Sequence, residues 1–281
     1  MLRQTVDSSR NRRYRQMNSA ANPDTLRRLG QLWDVVVILV QRDMKLRYKR
    51  SALGLAWSML NPLLQFGVFY LVFRFILPVG RENYGLFLFI GLLAWGWFQT
   101  SLQIGCSAIV DHASLVRQPG FAPATLPLAT VLSSLLHFLI ALPIVFAATA
   151  IAGKLSAALI LWLPIVVLVQ FLLTLSIVYA VAALHVSFRD VQYLLSIFLL
   201  LGFYLSPVLY SANDVPARFR WLYDINPLVP LLESYHGMVG AGQMPSLAPL
   251  LLVGVGSCVA LAITHRSFLK ASRWFVEEIG A

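Results

Sequence analysis

The chain has 281 residues, 58% of them hydrophobic and only 12% charged, and its 22 Lys and Arg against 12 Asp and Glu leave a formal charge of +10. Soluble domains usually carry about 25% charged and about 45–50% apolar residues, so an ordinary soluble domain and a disordered chain are both excluded. A polytopic membrane bundle fits, and the +10 then means nucleic acid, anionic lipid or topology.

Residues 1–25 are rich in Arg, Asn and Ser and read as a disordered basic cytoplasmic tail. They hold no apolar run of the kind a leader needs, so no cleavable signal peptide is expected. From Leu26 the spacing turns helical, with Leu29, Leu32, Trp33, Val36, Leu39 and Val40 three and four residues apart. The cluster Arg42, Lys45, Arg47, Lys49 and Arg50 follows directly. An apolar stripe with Trp that ends in Lys and Arg suits a helix in the headgroup plane, so 26–52 is assigned as an amphipathic interface helix. A topological anchor without a mechanical role is the alternative.

A helix needs about 20 predominantly apolar residues to cross a hydrocarbon core roughly 30 Å thick. Six stretches free of Asp, Glu, Lys and Arg are long enough, and they place spans near 54–76, 86–110, 126–151, 158–184, 191–211 and 247–268. The fold class expected is therefore an all-α polytopic membrane protein, with a six-helix transmembrane domain over 53–270 and a cytoplasmic C-terminal tail at 271–281. The loop at 212–246 is broken by Pro216, Pro227, Pro230, Gly237, Gly240, Gly242 and Pro245. Between these breakers, Ala217–Tyr223 and Leu228–His236 read as short extracytoplasmic helices between spans five and six. With the N-terminus inside, 17 Lys and Arg fall on the inner side and five outside. Positive residues are retained in the cytoplasm, so both termini are expected there.

Cys106 and Cys258 lie in separate apolar runs without metal-ligand spacing, and buried small hydrophobes are the expectation. No Walker A, G-x-S-x-G or H-E-x-x-H sequence occurs, so nucleotide hydrolysis by the P-loop route is not expected in this chain. The span centres hold no Asp, Glu, Lys or Arg, which argues against proton or sodium coupling. His185 and Asp190 form H-x4-D, a spacing that membrane acyltransferases use to orient a His base. Any His and Asp five apart produce it, and a turn closed by Arg189 and Asp190 explains it equally well. Phe66, Phe69, Tyr70 and Phe73 share one helical face. Tyr193, Ser196 and Tyr204 share another, as do Gln170 and Thr174. Aromatic faces with sparse hydroxyls suit sugar rings sliding past, and ordinary packing is the competing explanation.

Six segments carry a resemblance: QRDMKLRYKRSALGLAWSMLNP at 41–62, GLLAWGWFQ at 91–99, LVRQPGFAPATLPL at 115–128, VSFRDVQYLL at 186–195, YLSPVLYSANDVP at 204–216 and DINPL at 224–228. In order and spacing they resemble the membrane permease subunit of ABC-2 type polysaccharide exporters, the O-antigen and teichoic-acid export permeases, over about 30–270. Phe121-Ala122-Pro123 departs from the adjacent aromatic-Pro pair usual in that family. The resemblance implies a permease half-transporter in the cytoplasmic (inner) membrane, not an enzyme. Two copies would form the pore for a polyprenyl-linked polysaccharide. Two separate ATP-binding cassette subunits would bind ATP and Mg, so this chain would hold no cofactor of its own. By matching position it implies ATPase-coupling roles for Arg42, Asp43, Lys45, Arg47, Lys49, Arg50, His112, Leu115, Arg117, Phe121, Arg189 and Asp190. It implies a channel lined by Phe66, Phe69, Tyr70, Phe73, Trp95, Tyr193 and Tyr204, and an extracytoplasmic gate at Arg218, Trp221, Tyr223, Asn226 and Pro227.

Three alternatives stand beside this: an ABC-2 exporter of a small amphiphile, an acyltransferase using His185 and Asp190, and a nucleic-acid-binding anchor. The charge distribution disfavours the last. Residues 1–50 hold 12 basic and four acidic residues, which is +8 of the +10. Each Lys or Arg near an anionic leaflet contributes about 1 kcal/mol, so the segment reads as an inner-face anchor in contact with the lipid bilayer, with no nucleic acid partner.

Overall fold

The computed structural model describes residues 23–48, 56–76, 84–211 and 214–280, and among these there is no strand. In chain order the helices are α1 (Pro23–Tyr48), α2 (Ala56–Leu71, continued by a π turn Val72–Ile76), α3 (Tyr84–Asp111), α4 (Ala113–Val116), α5 (Thr125–Ile151) and α6 (Ala157–Ser187). They are followed by α7 (Val191–Leu205), a 3-10 turn Ala217–Phe219 leading into α8 (Arg220–Ile225), α9 (Leu228–His236), α10 (Leu247–Ala271) and α11 (Phe275–Gly280). The expected tail at 1–25 falls outside the described residues except for Pro23–Thr25, which already belong to α1.

Among the described residues, four helices are long and apolar enough to cross a membrane: α3, α5, α6 and α10, with 28, 27, 31 and 25 residues. At about 1.5 Å per residue they measure roughly 37–46 Å, more than the ~30 Å hydrocarbon core. The remaining two expected spans are shorter apolar helices. The span expected over 191–211 overruns the helix found there, because α7 stops at Leu205. Ser206 is extended at φ −108° and ψ 148°, as the ring of Pro207 requires of its neighbour. The apolar run continues through Val208 and Leu209, but as a tight turn folded into the protein, in which the Val208 amide donates to the Ser206 carbonyl at 2.7 Å and both residues are buried.

The centre of the bundle is α3. It packs on α2, α5, α6, α7 and α9, and so it is buried on nearly every side. Two features hold α6 against it: Gly105 lets Val178 approach, and Gln170 Nε2 donates to the Ala94 carbonyl at 2.9 Å. Helix α10 runs along α6 and buries only Leu250, Ser257 and Phe268, leaving an aliphatic face outward. Cys106 is buried in α3, whereas Cys258 is exposed on that outward face of α10, contrary to the expectation of two buried thiols.

Antiparallel succession gives the bundle two ends. One carries 206–246, and the other carries the 112–124 loop, the 188–190 turn and the C-terminal residues. Ser156 caps α6 by accepting from the Leu159 amide at 3.3 Å, after a turn in which Gly153 takes φ +66°.

Candidate functional site

At the 112–124 end, the apolar stripe of α1 meets protein. Val36 and Leu39 are buried against α5, and Ser133 Oγ donates to Asp43 Oδ2 at 3.3 Å. That bond fixes the rotation of α1 and leaves Arg42 and Lys45 exposed. Trp33 and Ile38 also face outward, 56% and 62% exposed. Lys49 and Arg50 lie outside the described residues, as does the Arg47 side chain. On the loop, His112 Nδ1 lies 2.9 Å from the Ala108 carbonyl, and Leu115 and Phe121 are half-buried against the core. Arg117 is exposed and donates from Nη2 to the Ile279 carbonyl at 3.1 Å. Arg189 and Asp190 are exposed in the tight turn between α6 and α7.

His185 does not form the dyad that H-x4-D suggests. Its ring is only 4% exposed, and Nδ1 has no hydrogen-bond partner among the described residues. In an H-x4-D dyad the carboxylate orients the His base, and among the described residues Asp190 makes no bond to His185 Nδ1.

The aromatic residues of α2 form a continuous wall with their neighbours. Phe66 contacts Tyr70 and Phe89 with centroids at 5.5 and 5.2 Å, and Phe69 contacts Phe73 and Phe203 at 6.3 and 6.2 Å. Phe73 reaches Tyr84 at 5.8 Å, and the row continues through Phe87 to His236, stacked at 3.6 Å. These four side chains are half-buried and join α2 to α3 and α7. Trp95 is 4% exposed, hydrogen-bonded to Gln99 at 3.0 Å and packed on Phe203 at 5.7 Å, so it lies inside the protomer rather than on a surface. Tyr193 and Tyr204 are 75% and 60% exposed and point away from the bundle. Gln170 and Thr174 are buried between helices.

Over the opposite end, 206–246 is stitched down by polar bonds. Tyr84 donates to the Leu209 carbonyl at 2.8 Å, Asn226 Nδ2 donates to Ser206 Oγ at 2.9 Å, and Asn226 Oδ1 accepts from the Leu228 amide at 3.0 Å. Tyr210 donates to the Tyr204 carbonyl at 2.7 Å and pairs with the Tyr223 hydroxyl. Burial, together with that pairing, pushes the Tyr210 phenol above its ordinary range and keeps it protonated. Arg218 lies over the Phe219 ring at 4.7 Å, and Trp221 and Pro227 are exposed.

The family described as ABC-2 type transporter matches residues 34–238. The chain belongs to that family. With its long apolar helices, this ABC-2 member is a multi-pass membrane protein and a transport subunit rather than a catalytic enzyme. It is similar to the O-antigen export system permease protein RfbA of Myxococcus xanthus, 35% identical over 257 residues, 90% of this chain and 98% of the relative. Two proteins of the same name from Klebsiella pneumoniae are 33% and 30% identical, over 85% and 77% of this chain and 93% and 84% of the relatives.

Sequence reasoning missed Phe203, which joins Phe69, Trp95 and Tyr204 into one cluster. The available signal was Leu195, Leu199 and Gly202 on one face, where the small residue brings α7 close to the Trp95 ring. Phe275 and Ile279 of α11 were missed as well.

Proposed function

We propose that this ABC-2 permease is the membrane-spanning half of an ATP-driven exporter that moves a lipid-linked, O-antigen-type polysaccharide across the cytoplasmic membrane. The observation that carries this reading is the near full-length similarity to relatives named O-antigen export permeases. On this reading α2 and α7 complete six crossings with both termini cytoplasmic, α1 lies at the inner headgroups, and 206–246 is the extracytoplasmic gate. Two copies form the path, with α2 and α7 toward the partner copy and Tyr193 and Tyr204 toward the sugar chain. Phe66, Phe69, Tyr70, Phe73 and Trp95 stiffen the wall behind them.

A separate pair of ATP-binding cassette chains docks on α1, the 112–121 loop and the 189–190 turn. Closure of that pair on ATP pushes these segments, and the movement reaches α2 and α7 through the aromatic wall. Each sugar must bind weakly enough to move on. Aromatic stacking allows this, and paired charges would not.

Depletion of the chain should trap lipid-linked polymer in the cytoplasm, and the tagged chain should copurify with an ATP-binding cassette subunit. Undiminished surface polysaccharide after depletion would sink the proposal, and loss of a small amphiphile's efflux instead would reassign the cargo.

A further inference from the structure

The C-terminal residues carry a feature that lies beyond the stretch matched by the family, which ends at residue 238. A six-residue helix is too short to hold itself together in water. Two things tie down α11. Phe275 is 2% exposed and packs edge-on against Phe268, with centroids 5.3 Å apart. At the other end of the helix, the Ile279 carbonyl accepts from Arg117 Nη2 at 3.1 Å.

The first contact extends further. Phe268 is fully buried and meets Tyr179 edge-on at 5.1 Å, and the Tyr179 hydroxyl donates to the Ala124 carbonyl at 2.9 Å. Arg117 stands at the start of the 117–124 segment and Ala124 at its end. One connected path therefore runs from Arg117 through Ile279, Phe275, Phe268 and Tyr179 to Ala124, and it closes on the loop at both ends. Between them, the loop's own bonds are local turns, such as Phe121 N to the Gln118 carbonyl at 3.2 Å. Apolar contacts of Leu115, Val116 and Phe121 seat the loop on the core, but none of these bonds ties it to α6 or α10. The path fixes it to both helices.

We infer that α11 is a clamp that holds the 112–124 loop rigid against α6 and α10, with Phe275 and Arg117 as positioning residues. The inference rests on the proposed role of this loop in receiving force from the ATPase chains. A loop that transmits a push must not yield, so releasing the clamp wastes ATP without disassembling the transporter. In the clamped state, movement of the loop is passed to α6 through Tyr179 and to α10 through Phe268.

The test uses the full permease–ATPase complex. Three variants are compared: Phe275→Ala, Phe275→Leu and a chain ending at Trp274, which removes the Ile279 carbonyl while keeping Arg117. Assembly with the ATPase, ATP turnover in proteoliposomes and surface O-polysaccharide in the host are measured together. Phe275→Ala and the shortened chain should assemble and hydrolyse ATP, with polymer exported per ATP reduced about two- to thirtyfold, the span expected for residues that couple distant sites. Phe275→Leu, which keeps an apolar plug, should restore most of that ratio. An unchanged ratio in the shortened chain overturns the clamp. Should Phe275→Ala fail to insert, the shortened chain decides by itself, since α11 lies outside the spanning helices. Leu115→Ala separates the clamp from its premise. If that substitution leaves assembly and coupling intact, the loop is not the docking site. If it uncouples while the C-terminal variants do not, the clamp alone is wrong.

Discussion

At Gly91 one missing methyl decides how closely the 206–246 segment approaches α3. A Cβ placed there would stand 2.8 Å from the Val208 carbonyl oxygen and 2.8 Å from His236 Nε2. A backbone oxygen cannot swing aside as a side chain can, so the turn around Pro207 would have to move as a unit. Overpacking of this kind typically costs about 1–3 kcal/mol. Gly91→Ala should therefore lower the melting midpoint of the detergent-solubilised protein and speed proteolysis within 206–246. Gly96 on the same helix provides the control, because a Cβ there meets nothing within 4 Å. Gly96→Ala should leave the midpoint where it is or raise it. Equal melting of the two variants would mean that the approach at Gly91 is looser than described. Nothing in the sequence separates these two glycines, since both sit in the same charge-free run and differ only in what faces them.

Between elements, α3 and α6 meet closely at Gly105. Without water to drive apolar faces together, membrane helices associate by packing, and small residues let the backbones draw near. Gly105 plays that part, with its missing Cβ only 2.4 Å from Val178 Cγ1. Val is stiff at χ1, so it cannot rotate away cheaply. Gly105→Ala alone should destabilise, Val178→Ala alone should leave a small void, and the double variant should recover much of the loss. The coupling between neighbours of this kind is about 0.5–3 kcal/mol, readable from a cycle of four melting curves. Strict additivity would show that the two side chains do not compete for the same space. The sequence made these helices legible because charge-free runs set their ends: 86–110, 126–151, 158–184 and 247–268 lie within three residues of α3, α5, α6 and α10 at either end. It failed at α7 for a different reason, because hydropathy carries on past Pro207 while the backbone geometry does not. It could not assign faces either. In a bundle where every face is apolar, a buried Trp95 and an exposed Tyr204 look alike. Helix α11 shows no period at all, since six residues with one buried ring are too few to display one.

Across the whole protein, the outward surfaces differ in kind. Leu251, Leu252, Val255, Val259 and Ile263, with Cys258 among them, make the outer face of α10 almost wholly apolar, as a surface against lipid tails would be. On α7 the exposed residues mix Ile197, Phe198, Leu200 and Leu201 with Gln192, Tyr193, Ser196 and Tyr204. Lone polar groups in hydrocarbon are costly, so this face suits protein or a wet path better than lipid. The N-terminal charge adds a second asymmetry. With +8 of the +10 within residues 1–50, the chain has one strongly basic end and an otherwise near-neutral body, which orients every copy the same way. Two copies oriented alike can meet through α7 about a two-fold axis and leave both α10 faces in lipid. Cys258 on α10 and a cysteine placed on α7 test this in one experiment. If the copies meet through α7, oxidation in native membranes should leave the unaltered chain monomeric on a denaturing gel, although Cys258 is exposed, because that arrangement keeps the two α10 faces apart. Phe198→Cys, at a position 69% exposed, should give a cross-linked dimer in the same membranes. A dimer through Cys258, or none through position 198, would put the meeting face elsewhere and remove Tyr193 and Tyr204 from the path between the copies.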